Sequence, residues 1–223
     1  MSVSDPLVSI YVVSKNYGHY AQEAIESVLV QSFRNWELFL VDDGSEDNTM
    51  AVFQAYSKEP GVEIIQLDGC GLTKASNLVL SRVRGKYVIR LDADDFFDES
   101  ILCVLVNKLE SNPNAAIAFA DYFLVDQSSR TFKVERRLKF HQDDKIMSVP
   151  PHGACTLIRV DALTSVGGYR EDLGAQDGMD MWTKLRANWE AVNVSTALFY
   201  YRQHQANLTR SENKIIFARR EIR

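Results

Sequence analysis

The first hundred residues alternate between short apolar runs and amphipathic segments, and this alternation most constrains the fold. Four runs rich in Val, Ile and Leu are typical of buried strands, and three segments between them carry apolar residues at helical spacing. The predicted strands are residues 7–13, 36–41, 62–67 and 87–91, and the predicted helices are 20–31, 47–58 and 72–82. Short connections between such elements require right-handed crossovers, so the pattern predicts a parallel sheet with helices on both faces.

The pattern changes after Asp95. Periodicity predicts helices over 100–110, 161–166 and 177–187, strands over 115–120, 154–160 and 191–201, and a hairpin formed by 122–125 and 131–138. The polar stretch 136–151 is predicted to be a loop over the functional site, and 211–223 an amphipathic helix. Because no repeat or linker interrupts the chain, we expect a single domain over 1–223.

The composition argues against several classes of protein. The chain has 223 residues, 46% of them hydrophobic, and a formal net charge of -5, so it can bury one core but lacks the basic face of a non-specific nucleic-acid binder. Cys70, Cys103 and Cys155 are far apart, which indicates reduced, mostly buried thiols. The sequence shows neither a signal-peptide pattern nor an apolar run of about 18 residues, so we expect a cytoplasmic protein.

The fourth predicted strand ends in a cluster of carboxylates. Asp92, Asp94 and Asp95 follow it directly. Grouped carboxylates at the end of a buried strand repel one another and are costly to desolvate, and a divalent cation relieves both penalties. Oxygen ligands of this kind suit Mg²⁺ or Mn²⁺ and leave positions open for phosphates. The pattern predicts a metal held by Asp94 with Asp92 or Asp95, and the alternative is a solvated acidic turn.

Other polar residues fall at the same edge of the predicted sheet, because the carboxyl ends of parallel strands lie together. They are Ser14 and Asn16 after the first strand, Asp43 after the second, and Lys74 and Asn77 near the start of the third helix. Asp43 could accept hydrogen bonds from a nucleobase or ribose, or it could be an ordinary turn residue. Lys74 and Asn77 could contact a phosphate or a base, or they could lie on a solvated helix face.

Two carboxylates and one histidine of the second half are further candidates. Asp177 and Asp180 open the last long helix, where acidic residues either stabilise the first turn or serve as a general base. Because residues three apart share a helix face, the spacing does not choose between them. His204 follows the last strand and either binds metal or diphosphate or is a bystander. Neither a Gly-x-Gly-x-x-Gly pattern after the first strand nor a Gly-Lys-Ser/Thr loop is present, which removes the main support for a dinucleotide-binding or P-loop protein.

The chain resembles the glycosyltransferase family 2 enzymes with the GT-A fold, over roughly residues 8–207. The motifs that carry the resemblance lie at 8–17, 30–33, 36–38, 41–45, 71–77, 85–87, 92–95, 167–169 and 176–182. The resemblance implies an α/β, Rossmann-like domain with a mostly parallel central sheet, helices on both faces and a small antiparallel sheet on the acceptor side. Residues 1–98 would bind the nucleotide sugar and residues 99–210 the acceptor.

The resemblance also implies an inverting, metal-dependent transferase that uses a nucleotide-diphosphate sugar, most often a UDP-sugar. Ser14 and Asp43 would hold the nucleoside, with Asn16 in the same nucleotide loop. Asp92 and Asp94 match the family's Asp-x-Asp motif, which makes Asp94 the main ligand of Mn²⁺ or Mg²⁺. Asp177 matches the position of the base and is preferred to Asp180. His204 lies in a segment like the late loop that closes on the donor diphosphate.

Two positions depart from the family pattern, and two other functions compete with sugar transfer. Gly178 stands where a second acidic residue is usual, and Ser76 where an Arg is common. The expected acceptor is a saccharide or lipid-linked saccharide in surface polysaccharide assembly. A nucleic-acid partner is not expected. Residues 211–223 would contact a membrane surface, their own domain or a second copy of the chain. The competing functions are Mg²⁺-dependent phosphotransfer or phosphatase activity, and nucleotide-sugar binding without turnover.

Overall fold

The computed structural model describes residues 5–136, 152–173 and 177–205. The strands in these ranges are β1 (Val8–Ser14), β2 (Trp36–Asp43), β3 (Val62–Leu67), β4 (Tyr87–Asp92), β5 (Phe96–Phe97), β6 (Ala115–Val125), β7 (Thr131–Glu135), β8 (Thr156–Arg159) and β9 (Glu190–Arg202). The helices are α1 (Gly18–Leu29), α2 (Thr49–Ala55), α3 (Leu72–Leu80), α4 (Ile101–Glu110), α5 (Val160–Ser165) and α6 (Asp177–Arg186). The strands and helices predicted in the first hundred residues are confirmed, with ends that shift by a few residues.

The described strands form one sheet in the order β3-β2-β1-β4-β8-β6-β9-β5, with β7 paired to β6. Strands β1 to β4 are parallel, as predicted, with Val8 of β1 level with Trp36 of β2 and Tyr87 of β4. The direction reverses at β8, which is antiparallel to both β4 and β6. The antiparallel pairs therefore belong to the same sheet as the parallel strands and extend it beyond β4.

The second half differs from the prediction mainly at β6. The predicted strand 115–120 and the first arm of the hairpin form one strand of 11 residues, which pairs in parallel with β9 and shifts register near Asp121. The hairpin itself is confirmed, since β6 and β7 are antiparallel and Val125 is level with Thr131. The two-residue strand β5, which pairs with β9, was not predicted because its pairing partner lies about a hundred residues away.

Helices cover both faces of the sheet because its central strands are apolar on both sides. Ile10 and Val12 of β1 pack on one face with α1, α2 and α4, whereas Tyr11 packs on the other with α3, α5 and α6. Successive residues of a strand point to opposite faces, so a doubly covered strand has room for few polar side chains except at its ends. This arrangement concentrates the polar residues at the carboxyl edge of β1, β2 and β4.

Some sequence predictions lie outside the described residues, namely the helix at 211–223 and most of the loop at 136–151. Within the three described ranges, no helix is both long enough and apolar enough to span a bilayer. The expectation of mostly buried thiols holds for Cys155 only, since Cys103 is half-buried and Cys70 is exposed.

Candidate functional site

The loops that follow β1 and β2 are fastened to each other at the carboxyl edge. Asn16 has a left-handed backbone (φ 63°), which Asn tolerates better than most residues. Its backbone N–H donates to Ser45 Oγ (2.9 Å), and its side-chain oxygen accepts from the backbone N–H of Glu46 (2.7 Å). Ser14 is buried, and its hydroxyl has no hydrogen-bond partner among the described residues. Asn16 thus uses its oxygen to hold the loop, whereas Ser14 keeps a hydroxyl available for a ligand.

Asp43, at the end of β2, is buried and fixes the loop between β3 and α3. One carboxylate oxygen accepts from the backbone N–H of Cys70 (2.7 Å) and the other from that of Gly71 (2.9 Å). Gly71 has a φ of 92°, a conformation that favours glycine. The carboxylate is therefore held in one orientation, and each oxygen retains a second acceptor position.

The acidic turn after β4 is tied to the end of β9. The backbone N–H of Asp95 donates to the carbonyl of Asp92 (3.0 Å), which closes the turn. Asp95 Oδ1 accepts from the backbone N–H of Arg202 (2.8 Å), and Arg202 Nε donates to the carbonyl of Asp94 (2.7 Å). His204 Nε2 lies 2.8 Å from Asp94 Oδ2. The structure therefore brings His204 to the acidic turn, as its predicted role requires.

Burial and neighbouring carboxylates disfavour negative charge at this turn. Burial, reinforced by Asp94 and Asp92, raises the pKa of Asp95 well above its ordinary value. Burial and then the charge of Asp92 raise the pKa of Asp94, against the opposing effect of the His204 hydrogen bond. Burial and the charges of the three aspartates raise the pKa of Tyr17, whose ring lies beside His204, to about 12. A bound cation would relieve all three shifts.

A candidate metal position lies beside this turn. One oxygen of Asp92, one oxygen of Asp95 and one ring nitrogen of His152 all lie within 4.8 Å of one another. Asp95 Oδ2 is buried and has no hydrogen-bond partner in the described part of the chain. Two carboxylates and an imidazole form a ligand set that suits Mn²⁺. Sequence reasoning did not identify His152, which precedes β8 and comes next to the aspartates only in the folded chain.

Arg90 connects the acidic turn to α6, and sequence reasoning missed it because it lies within an apolar strand. It is 6% exposed. Its Nε lies 2.9 Å from Asp92 Oδ1, an ion-pair distance without hydrogen-bond geometry, and its Nη1 lies 2.5 Å from Asp177 Oδ2. Burial raises the pKa of Asp177, but the charge and hydrogen bond of Arg90 outweigh it, so the pKa of Asp177 is lowered. Asp177 is thus an ionised carboxylate at neutral pH.

The segment before β8 packs against the first turn of α6. A Cβ at Gly178 would lie 3.1 Å from Gly153 Cα, and a Cβ at Gly153 would lie 3.0 Å from Arg90 Nη2. Real Cβ atoms rarely make contacts this short with backbone. The two glycines therefore allow the backbone at Gly153 to approach the pair formed by Arg90 and Asp177.

These residues fall within a known family. The family model described as "Glycosyl transferase family 2" matches residues 9–167, more than half of the chain, and includes the loop after β1, the acidic turn and Arg90. The chain belongs to glycosyl transferase family 2.

Solved structures and curated relatives agree with this membership. S. aureus TarS 1-349 in complex with UDP gives a TM-score of 0.78 at 19% identity, over 96% of this chain and 64% of that chain. The mannosyltransferase PcManGT from Pyrobaculum calidifontis, in complex with GDP-Man and Mn²⁺, gives 0.72 at 16% identity, over 91% of this chain and 59% of that one. Chondroitin synthase of Escherichia coli is 26% identical over 181 residues, which cover 81% of this chain and 26% of the synthase. The fold is thus the GT-A fold.

The family 2 chain also spans only part of the length of its curated relatives, 60%, 66% and 26% of three of them. The family match ends at residue 167, before α6 begins, so the geometry of Asp177 and Asp180 stands on the structure alone.

Two predicted site residues of this family 2 protein have partners of their own. Asp180 forms an ion pair with Lys184 (2.7 Å), one turn along α6. Asn77 holds the turn before α6: its Nδ2 donates to the carbonyl of Tyr169 (2.8 Å) and to Glu171 (3.0 Å), and its Oδ1 accepts from the N–H of Tyr169 (2.9 Å).

The carboxylate of Asp180 thus has a contact that stabilises the helix, and both N–H groups of the Asn77 amide are already used within the chain. The assignment of these two residues to the site stays a prediction. Lys74, one turn before Asn77, is exposed on α3 and remains a candidate.

Proposed function

We propose that this family 2 protein transfers a sugar from a nucleotide-diphosphate sugar to a hydroxyl of a saccharide or lipid-linked saccharide, with inversion at the sugar carbon. The observation that carries the proposal is the connection of Asp92, in the acidic turn, to Asp177, at the start of α6, through one buried guanidinium. It joins the residues that would face the leaving diphosphate to the residue that would act as base. An inverting displacement requires both groups around one carbon.

The donor would bind at the carboxyl edge of β1, β2 and β4, within residues 1–98. The nucleoside would be held by the fixed carboxylate of Asp43 and by the hydroxyl of Ser14, which has no partner within the described ranges. His204 and the exposed Lys74 are the candidates for contact with the diphosphate. TarS structures contain UDP or UDP-GlcNAc, and the PcManGT structure contains GDP-Man, which supports a nucleotide-sugar donor and makes a UDP-sugar our first choice.

The residues of the acidic turn fit a divalent cation, and Mn²⁺ is bound in the PcManGT structure. Asp94 and Asp92 would hold it, as the Asp-x-Asp pattern implies. Asp92 lies together with Asp95 and His152 in the candidate metal position, whereas Asp94 Oδ2 lies against His204 and would have to turn toward the cation. Such a cation, when bound, neutralises the charge that develops on a leaving diphosphate. Asp95 Oδ2, which has no partner among the residues that the structure describes, supports this assignment, because a buried carboxylate oxygen without a partner is otherwise costly.

The reaction would be a single displacement. The acceptor oxygen forms a bond to the anomeric carbon while the bond from that carbon to the diphosphate oxygen breaks, and the nucleoside diphosphate leaves with the electron pair. The acceptor proton passes to the carboxylate of Asp177. Asp177 is available for this task because Arg90 keeps it ionised in a buried position.

The acceptor would bind to the second half of the chain, residues 99–210. Chondroitin synthase, a polysaccharide synthase, matches 81% of this chain, which supports a saccharide acceptor. The amphipathic segment 211–223 remains a sequence-based candidate for contact with a membrane surface or a second copy.

The test is release of nucleoside diphosphate from UDP-glucose, UDP-GlcNAc and GDP-mannose in the presence of Mn²⁺. We expect release from at least one donor and its loss in EDTA. Asp94→Ala should abolish Mn²⁺-dependent donor binding in calorimetry. Asp177→Asn should keep the donor affinity within about threefold and lower the rate at least 100-fold, the usual contribution of a general base.

The matched control is Asp180→Asn, which changes a carboxylate of the same helix that faces Lys184. We expect it to keep its rate within about threefold. Hydrolysis of an aryl phosphate without use of nucleotide sugars would indicate a phosphatase. Tight donor binding by the wild type without release of nucleoside diphosphate to water or to a saccharide panel would indicate a binding module.

A further inference from the structure

Arg90 is a buried charge at the centre of the sheet. It lies on β4 between Ile89 and Leu91, where the same strand is otherwise apolar. A buried guanidinium is tolerated only where anions neutralise it, and removal of one partner of such a pair is strongly destabilising. Here Asp92 meets the Nε side and Asp177 meets Nη1. The two carboxylates come from elements 85 residues apart in sequence, and Arg90 is in contact with both.

We propose that Arg90 is a positioning residue that holds the carboxylate of Asp177 at a fixed distance from Asp92, so that the base is already in place when the donor binds. The inference rests on the proposed function, in which Asp177 receives the acceptor proton.

The surroundings of Arg90 leave its guanidinium little freedom. The backbone at Gly153 closes the side of Nη2, since a Cβ there would lie 3.0 Å from that atom. Tyr11 of β1 and Tyr169 are both buried beside Arg90, and the hydroxyl of Tyr11 donates to that of Tyr169 (3.3 Å). A planar guanidinium with this enclosure presents its N–H groups in one fixed direction, which a flexible ammonium does not.

Two roles for Arg90 predict different effects of the conservative change Arg90→Lys. If Arg90 only neutralises buried negative charge, a lysine supplies the same charge and the reaction rate is kept. If Arg90 positions Asp177, the single ammonium group of a shorter lysine side chain does not contact both carboxylates. The carboxylate of Asp177 is then free to move. A displacement of about 1 Å at a reacting group costs up to about 100-fold in rate.

The experiment is a double-mutant cycle on the full chain. Release of nucleoside diphosphate from the donor that the wild type accepts is measured with Mn²⁺ for the wild type, Arg90→Lys, Asp177→Asn and the double variant. We expect Arg90→Lys to lower kcat about 10- to 100-fold with KM for the donor within about threefold. On the Asp177→Asn background the same change should alter kcat less than about threefold, because the group that Arg90 positions no longer reacts.

Arg84→Lys is the matched control. Arg84 also pairs with a buried carboxylate, Glu37 (2.8 Å), but at the opposite edge of the sheet, before β4 begins. We expect its kcat and KM to stay at the wild-type values within about threefold.

Two results would overturn the inference: an Arg90→Lys variant with wild-type kcat, or losses that multiply in the double variant. A wild-type protein that uses no nucleotide sugar, or an Asp177→Asn variant that keeps the wild-type rate, would instead overturn the proposed function and the inference with it. Calorimetry with Mn²⁺ and UDP shows whether Arg90→Lys is folded. If it is not, the cycle is repeated with Arg90→Gln, for which the same two outcomes decide.

Discussion

Replacement of Asp95 by Asn should stabilise the metal-free protein at neutral pH. Asp95 is 1% exposed, and its pKa is raised well above the ordinary value by burial and by its two acidic neighbours. An Asn keeps the oxygen that accepts from the backbone N–H of Arg202 and replaces the oxygen that has no partner in the described part of the chain. The substitution therefore removes a buried negative charge with little change in shape.

The magnitude follows from the distance between the carboxylates. The facing oxygens of Asp92 and Asp95 lie within 4.8 Å of each other. Two unit charges at that distance repel by about 3.5 kcal/mol at an effective dielectric constant of about 20. The cost of keeping Asp95 ionised in the folded protein cannot exceed the cost of protonating it. Protonation costs about 1.4 kcal/mol for each pH unit above an ordinary pKa of about 4, which amounts to about 4 kcal/mol at pH 7. We expect Asp95→Asn to gain about 1–3 kcal/mol.

The pH dependence gives the prediction its sign. Because the folded state has the higher pKa, it binds more protons than the unfolded state above pH 4, and the wild type loses stability as the pH rises. The Asn variant has no carboxyl at this position and therefore lacks this pH-dependent loss of stability. Its advantage should vanish near pH 4, where Asp95 is protonated in both states, and should grow as the pH rises from there to the raised pKa of Asp95.

The assay is urea unfolding in EDTA at pH 7 and at pH 4.5, with Asp68→Asn, an exposed aspartate, as the control. At pH 7 the midpoint of Asp95→Asn should rise by about 0.5–1.5 M for an m-value of about 2 kcal/mol/M, while Asp68→Asn stays within about 0.5 kcal/mol of the wild type. Mn²⁺ should reduce the advantage, because the wild type binds the cation more tightly. An equal or lower midpoint for Asp95→Asn at pH 7, or a gain that does not shrink at pH 4.5, would refute the reasoning.

Two further substitutions test the packing around α6. Gly178→Ala should destabilise the protein by about 1 kcal/mol in urea unfolding, because its Cβ would lie 3.1 Å from Gly153 Cα. It should also lower kcat. Unchanged stability and unchanged kcat would contradict this prediction. Asn77→Ala should lower the free energy of unfolding by about 1–3 kcal/mol, because both backbone groups of Tyr169 lose their hydrogen-bond partner. Its affinity for UDP, measured by calorimetry, should stay within about threefold of the wild-type value. A large loss of affinity at unchanged stability would indicate that Asn77 binds the donor.

The parallel half of the fold could be predicted from the sequence because its strands are buried on both faces. Such strands must be apolar along their whole length, so the point where each ends in polar residues marks the carboxyl edge. The loops at Ser14, Asp43 and Asp92 were placed together by this argument, and the structure has them at one edge. The second half was less predictable because its strands pair across long separations, as β6 does with β9.

Residues whose partners are distant in sequence were the ones whose contacts sequence reasoning did not identify. Arg90 was overlooked inside an apolar run, although a charged residue in a doubly covered strand requires a buried partner and could have been flagged for that reason. Its partner Asp177 is 87 residues away and could not have been named. Asn77 was assigned to the donor from its helix position, but its amide is used by a turn 92 residues later in the chain.

The glycine at 178, where the family usually has an acidic residue, fits with the buried pair formed by Arg90 and Asp177. A Cβ at 178 would lie 3.1 Å from Gly153 Cα, and a Cβ at 153 would lie 3.0 Å from Arg90 Nη2, so both contacts would be tighter than usual. A side chain after Asp177 would require this backbone to shift by a few tenths of an ångström and would loosen the cover over the guanidinium. Glycine at 178 keeps the contact closed and the pair of Arg90 and Asp177 covered, which supports our assignment of Asp177 as the base.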